Sequence, residues 1–246
     1  MIHHGLTITD ADQLASLLRQ GFTFRECCFD EADLIDFDAE VLELQACSLR
    51  GAKFTNLMCP SLKLTDCDLR GANFEKADVL DAEFASSECA EANFRGAKLN
   101  LSRLNDCDFS ACNFDGANLF GAELAGCRFR AVDLSSANLD GAKFDRVDFS
   151  MAALRFKDFK GRRLTGMNFT EADLSGCNFT NVTFENCHLT GANVSEETVF
   201  DGADFRGSYI SASQLEVASL RGAMMSPSQA NALLFERFGI LVDEGS

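Results

Sequence analysis

A five-residue period runs through most of the chain. Every fifth residue from Phe24 to Val194 gives 35 centre positions, of which 15 are Phe, 15 are Leu and none is charged. A second restricted position lies two residues before each centre and holds mostly Ala, Cys, Ser and Val. Of these 70 residues only Lys157 and Arg162 are charged, where random placement at 24% charged residues would give about 17.

This period fits neither the 3.6 residues of a helical turn nor the alternation of a strand. It fits a chain that turns a corner every five residues, with two side chains inward and three outward. Glycine supports this interpretation, because 14 of the 18 Gly stand two residues after a centre. Corners favour Gly since it reaches positive φ without a Cβ penalty.

The units Ala-Asn-Phe at 72–74 and Ala-Asp-Leu at 172–174 resemble the A(D/N)LXX signature of the pentapeptide repeat proteins. The resemblance covers Phe22 to about Met225. It implies an all-β solenoid, a right-handed quadrilateral β-helix with four pentapeptides per coil and Phe or Leu stacked on the axis.

Four pentapeptides per coil predict about ten 20-residue coils. At the roughly 4.8 Å spacing of paired strands, these coils would form a rod on the order of 48 Å long. The phase slips by one residue between Val194 and Phe200, which predicts a bulge within 195–199. We therefore divide the chain into an N-terminal helical cap (1–21), the β-helix (22–225) and a C-terminal module (226–246).

Both ends carry helix signals. Thr9 or Asp10 can cap a helix that ends before Gly21, and Ser226-Pro227 opens a second helix that stops at Gly239. Ile240-Leu241-Val242 then predicts a short strand. The tail from Gln229 to Val242 is similar to the C-terminal module of the Qnr quinolone-resistance subgroup, which implies a homodimer. Its dimer contact would use Leu233, Leu234, Phe235, Phe238 and Val242, and the alternative is the end cap of a monomer.

The 11 cysteines fit a buried apolar role better than a metal site. Ten occupy inward positions, and only Cys28 does not. Six of them share one face at multiples of 20 residues: Cys27, Cys47, Cys67, Cys107, Cys127 and Cys187. The alternative is a soft-metal or redox ladder, but parallel Cβ vectors do not converge, and Cys fills sites that also accept Ala, Ser and Val. We predict no metal and no cofactor.

Candidate catalytic residues are scarce. His3 and His4 precede the repeat and His188 stands at an outward position. The chain has no Gly-rich phosphate loop, nucleophile elbow or H-E-x-x-H motif, and a solenoid of this kind offers no cleft in which perturbed acids arise. We therefore expect no enzyme.

The outer surface is acidic, with 38 Asp and Glu against 22 Lys and Arg, a formal net charge of −16. This argues against nucleic acid and membrane as partners, and with no span or signal pattern it predicts a cytoplasmic protein. The predicted acidic interaction surface comprises Glu26, Asp30, Glu31, Asp33, Asp36, Asp38, Glu40 and Glu43. A predicted basic patch comprises Arg155, Lys157, Lys160, Arg162 and Arg163.

The basic patch has two interpretations, an interaction surface or a local irregularity paired with acids of the next coil. Lys157 and Arg162 stand at inward sites, and the coil there is expected to splay so that water reaches them.

Two functions are compatible with these patterns. The first is an interaction scaffold or regulator whose partner is another protein. The alternative, implied by the resemblance to the Qnr and MfpA subgroups, is an acidic mimic of DNA that binds DNA gyrase or topoisomerase IV and protects it from quinolones. Duplex DNA of the same length carries roughly 28 charges, so the mimicry would be about half-strength. The unbroken phase also leaves no room for the projecting loops of Gram-negative Qnr proteins, so the loopless MfpA type matches better.

Overall fold

The computed structural model describes residues 2–211, 215 and 217–242. The chain divides into two compact units, Met1–Phe144 and Asp145–Ser246, and each is described by itself.

The first unit contains one helix and a parallel sheet of eight short strands. The helix α1 spans Ala11–Leu18. The sheet has its strands in chain order: β1 (Ile2–His4), β2 (Thr23–Arg25), β3 (Val41–Gln45), β4 (Ser61–Thr65), β5 (Glu83–Ala85), β6 (Arg103–Asn105), β7 (Glu123–Ala125) and β8 (Lys143–Asp145). From β2 onward the register advances by 20 residues per strand, as in Thr23 beside Glu43 and Lys63 beside Glu83.

Isolated parallel bridges show the same register on three further faces. Cys28 pairs with Ser48, Asp33 with Lys53 and Asp38 with Met58, and each series continues at intervals of 20. Four rungs per 20 residues give the quadrilateral coil, so the predicted all-β solenoid is confirmed.

The centre positions form the core of the first unit. Phe54, Phe74, Phe94 and Phe114 stack face to face along one side of it, with ring centroids 4.7, 5.2 and 5.0 Å apart in succession. Their side chains are at most 1% exposed. Because these rings contribute large apolar areas and each also contacts its neighbour on the next turn, they hold successive turns together.

Most corners have the positive φ that the glycine positions predicted. Gly51 has φ +62°, but bulkier residues also take this conformation, for example Leu101 at +60° and Phe156 at +60°. The sequence pattern therefore located the corners, although Gly occupies only part of them.

The second unit repeats the same arrangement. Its strands β9 (Arg163–Thr165) and β10 (Thr183–Glu185) pair in parallel, and isolated bridges continue to Ser219 and Met224. The register is 20 between Asp173 and Asn193 but 21 between Asn178 and Val199, so the predicted bulge is confirmed.

Thr198 fixes this bulge in a way the sequence did not indicate. Its side chain is fully buried, and its hydroxyl donates to the Leu174 carbonyl at 3.1 Å. The same oxygen accepts the N–H groups of Ser195 at 3.0 Å and Gly176 at 3.2 Å. The inserted residue is thus compensated by polar groups that would otherwise stay unpaired.

Both predicted terminal helices are present. Asp10 caps α1 by accepting the Gln13 N–H at 2.9 Å. The second helix, α2 (Pro227–Phe238), begins with a capping box formed by Ser226 and Gln229 and ends at Gly239, which has φ +66°. Ile240–Val242 forms no strand in the single chain, where the sequence predicts a short one. A strand needs a neighbouring strand to pair with, and no described residue of this chain pairs with these three.

Candidate functional site

The acidic residues predicted as an interaction surface surround the first turn of the first unit. We call them the acidic collar: Glu26, Asp30, Glu31, Asp33, Asp36, Asp38, Glu40 and Glu43. Seven are exposed, and Glu43 is half-buried. One turn takes 20 residues and the collar extends over residues 26–43, so the carboxylates ring the coil instead of lining one face.

The hydrogen bonds of the collar come from neutral groups. Asp30 accepts the Arg50 backbone N–H at 2.9 Å and the Ser48 hydroxyl at 2.5 Å. Asp36 accepts Asn56 Nδ2 at 2.8 Å, and Glu43 accepts the Thr23 hydroxyl at 2.9 Å. Glu26 lies 3.4 Å from His4 Nε2. Among the described residues, no Lys or Arg side chain forms an ion pair with any collar carboxylate.

Many acids beyond residue 50 are compensated by a base on a neighbouring turn. Lys98 Nζ lies 2.7 Å from Asp78, Arg128 lies 2.9 Å from Asp108 and Lys143 Nζ lies 2.7 Å from Glu123. The negative charge of the first unit is therefore uncompensated chiefly at its N-terminal turn.

The predicted basic patch lies in the second unit and is paired in part. Arg155 Nε donates to Asp173 Oδ2 at 2.7 Å, and Arg163 forms an ion pair with Glu185. Both acids belong to the next turn, as the second interpretation of this patch supposed. Lys160 is exposed, and its backbone N–H donates to Asp158 at 2.9 Å.

Lys157 and Arg162, the two charged residues at inward sites, are half-buried. The ladder to the following turn is regular at both, because the Lys157 carbonyl accepts the Asn178 N–H at 3.0 Å and the Arg162 carbonyl accepts the Thr183 N–H at 3.0 Å. The expected splaying is therefore not seen toward that turn. The Arg162 guanidinium carbon lies 5.8 Å from the centroid of the Phe159 ring, a cation–π contact.

The residues predicted for dimerisation lie on an apolar surface of the second unit. None of the α2 side chains is buried. Phe235 and Phe238 are 55% and 61% exposed, Val242 is also exposed, and Leu233 and Leu234 are half-buried. Leu241 is the most exposed large apolar residue in this region, at 82%. A helix that buries no side chain in its own chain has an unpartnered apolar face.

The cysteines are free thiols, and ten of the 11 are buried. In the column that starts at Cys27, the Sγ of Cys47 and Cys67 donates to backbone carbonyls of the preceding turn, at Phe24 and Leu44. Burial raises the pKa of Cys59 to about 11 and that of Cys112 to about 12. These thiols are neutral at physiological pH, so their contacts are those of small buried side chains.

The histidines have structural contacts. His3 Nε2 lies 3.0 Å from the Leu17 carbonyl and 3.2 Å from the Gly21 carbonyl, and its ring stacks on Phe24 at 4.7 Å. His188 stacks on Tyr209 at 4.5 Å. The residues described here contain no group of three or more His, Cys, Asp and Glu placed to hold a metal ion. Among them there is also no helix with the length and apolar character needed to cross a membrane.

An apolar notch adjoins the collar, and the sequence pattern gave no sign of it. It has a volume of about 340 Å³ and lies between the end of α1 and the start of β3. Its lining residues are Leu18, Phe22, Ala39, Glu40 and Val41. Leu18 and Phe22 precede or begin the repeat, so the five-residue period could not place them.

A family model described as pentapeptide repeats matches residues 63–100, 87–124, 112–150 and 158–195, together about half of the chain. No curated protein matches.

Solved structures give the same fold. HetL, a pentapeptide repeat protein involved in heterocyst differentiation regulation in Nostoc sp. strain PCC 7120, has a TM-score of 0.61 at 19% identity, over 88% of this chain and 94% of that one. Trypsin-treated QnrB1, a plasmid-mediated fluoroquinolone resistance protein, has a TM-score of 0.43 at 18% identity, over 99% and 100%. A pentapeptide repeat protein of the Arabidopsis thaliana thylakoid lumen has a TM-score of 0.28 at 25% identity, over 61% and 89%.

Proposed function

Since the chain belongs to the pentapeptide repeat family, a protein-interaction fold, we propose that it is a non-enzymatic scaffold or regulator that presents its acidic collar to a basic surface of another protein. The observation that carries this proposal is the contrast in charge compensation within the first unit. Collar carboxylates pair with no Lys or Arg among the described residues, while Asp78, Asp108 and Glu123 each have a base one turn away.

An uncompensated ring of carboxylates has an electrostatic cost for the isolated protein, because like charges in one turn repel each other. The same field accelerates association with a basic surface and orients it. Elsewhere in this fold a base at a distance of 18 to 22 residues removes that repulsion, so compensation of the collar was structurally available. A cationic partner would supply the missing counter-charges.

Site-specific photo-crosslinking in the source organism tests the proposal. Ile35 is 42% exposed and stands between Asp33 and Asp36, so a photoreactive residue at 35 reports on whatever covers the collar. The matched control is the same photoreactive residue at Leu101, which is 51% exposed in the same unit. We expect one dominant protein adduct from position 35 and none of that mass from position 101.

Charge reversal supplies the second arm of this experiment. Replacing Asp30, Asp33, Asp36 and Asp38 by Lys should abolish the adduct from position 35 while the protein stays folded by circular dichroism. Adducts of equal yield from both positions, or an adduct that survives the reversal, would contradict a function for the collar.

A second candidate is a DNA mimic that binds DNA gyrase or topoisomerase IV and protects it from quinolones. The acidic surface and the Qnr-like tail sequence favour it. The placement of the charge weighs against it, because the uncompensated carboxylates ring one turn whereas the phosphates of duplex DNA follow the long axis. The test is a supercoiling assay with purified gyrase and a quinolone. Neither inhibition nor protection at micromolar protein would eliminate this candidate, and an effect lost on the fourfold reversal would support it.

We also propose that two copies associate through the C-terminal module. The unburied face of α2 and the exposed Ile240–Val242 segment support this, because a monomer would leave these apolar side chains in water. A neighbouring copy could supply the strand partner that Ile240–Val242 lacks. The free thiols fit a reducing compartment, which we propose to be the cytoplasm.

A further inference from the structure

The notch beside the collar combines apolar walls with an acidic rim. Phe22 is 48% exposed there, while Leu18, Ala39 and Val41 are half-buried. Glu40 lies at the rim and makes no ion pair with a described residue. The volume of about 340 Å³ exceeds what one aliphatic side chain needs. The notch therefore suits an apolar side chain that a cationic residue accompanies.

The backbone beside the notch is an open strand edge. One turn further on, Met58 donates its N–H to the Phe37 carbonyl at 3.0 Å and accepts the Ala39 N–H at 2.9 Å. Asp38 holds the equivalent position in the first turn, and its N–H and C=O make no hydrogen bond with a described residue. The chain that would pair with it, residues 17–19, belongs to the end of α1 or directly follows it.

The carbonyl of Glu40 is open in the same way. The equivalent carbonyls of later turns accept an N–H from the turn before, as when Asn100 accepts from Asp81 at 2.9 Å and Asp140 accepts from Gly121 at 2.9 Å. No N–H of the described residues reaches the Glu40 carbonyl. An unpaired edge of this kind is a template for an added strand.

Resting on the function proposed above, we propose that the notch and this edge bind an extended basic segment of the partner protein, in which apolar residues alternate with Lys or Arg. In an extended segment successive side chains point to opposite sides. The apolar residues would enter the notch against Phe22 and Val41, and the basic residues would face Asp38 and Glu40. The segment's N–H groups would pair with the two open carbonyls.

The charge of the site selects this occupant over the chain's own tail. The tail of a second copy offers the apolar run Ile240-Leu241-Val242, but the sequence continues with Asp243 and Glu244. Those carboxylates would lie against the collar, where like charges repel. A segment with Lys or Arg at the same places satisfies both the apolar notch and its acidic rim.

Fluorescence anisotropy with the full chain and labelled hexapeptides Lys-X-Arg-X-Lys-X tests the proposal. We expect binding when X is Leu, Val or Phe, and at least about tenfold weaker binding when X is Ser, at physiological salt. N-methylation of the X residues, which removes the pairing N–H groups, should weaken binding by a similar factor. Phe22→Ser and Glu40→Lys should each weaken it, and Leu101→Ser, at an equally exposed apolar site, should not.

Each result decides between a notch and a diffuse acidic surface. Equal binding of the Leu and Ser peptides, or no effect of both N-methylation and Glu40→Lys, would overturn the proposal, and so would no binding of any peptide. Glu40→Lys also covers the case in which Phe22→Ser fails to fold. If the peptides fail while the adduct from position 35 persists, only this inference fails and the function proposed for the collar stands.

Discussion

Arg50 and Asp68 lie on successive turns and meet at 2.5 Å, from Arg50 Nε to Asp68 Oδ2. Arg70 holds the same carboxylate with Nε at 2.9 Å and a terminal nitrogen at 2.6 Å. The Arg70 hydrogen bond, with a contribution from Arg50, holds the pKa of Asp68 well below its usual range. This pairing ties the turns together, and it is what the collar carboxylates lack.

Asp68→Asn should therefore destabilise the protein in a pH-dependent way. A carboxyl whose pKa is lower in the folded state contributes stability that is complete above its unfolded pKa of about 4 and is lost as the pH falls below that value. We expect a loss of about 1 kcal/mol at pH 7, since Arg50 and Arg70 are about half-exposed and the solvent screens the pair. Urea denaturation at pH 7 and pH 2.5 should show the difference shrinking at the lower pH.

The matched control is Asp38→Asn, which removes a carboxylate with no ion pair among the described residues. It should leave stability at pH 7 unchanged or slightly higher. A loss as large as that of Asp68→Asn would contradict the distinction between paired and unpaired acids.

Thiol labelling should separate Cys28 from the other ten cysteines. Cys28 is half-buried and the rest are buried, with the pKa of Cys59 raised to about 11 and that of Cys177 to about 12 by burial. Only thiolates react rapidly with disulfide reagents. We expect at most one fast-reacting thiol per chain at pH 7.5, lost in Cys28→Ser, and 11 in denaturant. Several fast thiols in the native protein would contradict the packed core.

The sequence predicted most of the fold because the five-residue pattern records burial at every turn. Inward sites exclude charge and corners favour Gly, so the phase of the coil and the extra residue near Thr198 could be derived by counting. The pattern holds no information on polar contacts that arise once per chain. The hydroxyl of Thr198 and the ring of His3, which closes the N-terminal end over Phe24, could not be derived from it.

The candidate site was predictable only in part, for a physical reason. The list of acids is a property of the sequence, but their compensation depends on which residue lies about 20 positions away and on its rotamer. Arg155 and Arg163 appear as a basic patch in the sequence, yet each is paired with an acid of the next turn. The notch depends on how α1 meets the first turn, a contact outside the repeat.

A glycine comparison tests the packing of one corner in the second unit. The Phe156 ring lies over Gly176, where a Cβ would contact its Cδ1. Gly161 has the same φ, +68° against +69°, and open space at its Cβ position. Both Ala variants should lose about 1 kcal/mol for the left-handed conformation. Gly176→Ala should lose more, because the ring must move and its contact with the corner is lost.

A double-mutant cycle isolates that additional loss. In a Phe156→Ala background, Gly176→Ala should cost no more than Gly161→Ala, as measured by urea denaturation. An unchanged additional cost in that background would show that the ring is not its cause.

The C-terminal module should determine the oligomeric state. Light scattering should give about twice the chain mass of 26.8 kDa at tens of micromolar protein, since α2 leaves its apolar face unburied. Phe235→Asp together with Phe238→Asp should give the monomer mass, because two charges would enter the apolar contact. Phe120→Asp, which alters a 49% exposed ring of the first unit, is the control and should leave the mass unchanged. A single-chain mass for the unaltered protein would eliminate the dimer.

The collar should make the protein less stable than its fold allows. In the triple variant Asp33→Asn, Asp38→Asn and Glu40→Gln, the mutual repulsion of exposed carboxylates is reduced, and none of the three has an ion pair to lose among the described residues. We expect the melting temperature to rise at 10 mM salt and the gain to vanish at 0.5 M, because the screening length falls from about 30 Å to a few ångström. The same variant should lose the adduct from position 35 if the collar serves binding. A stability gain that accompanies a loss of binding would show that the carboxylates are kept for the partner, whereas a loss of stability at low salt would show that they are structural.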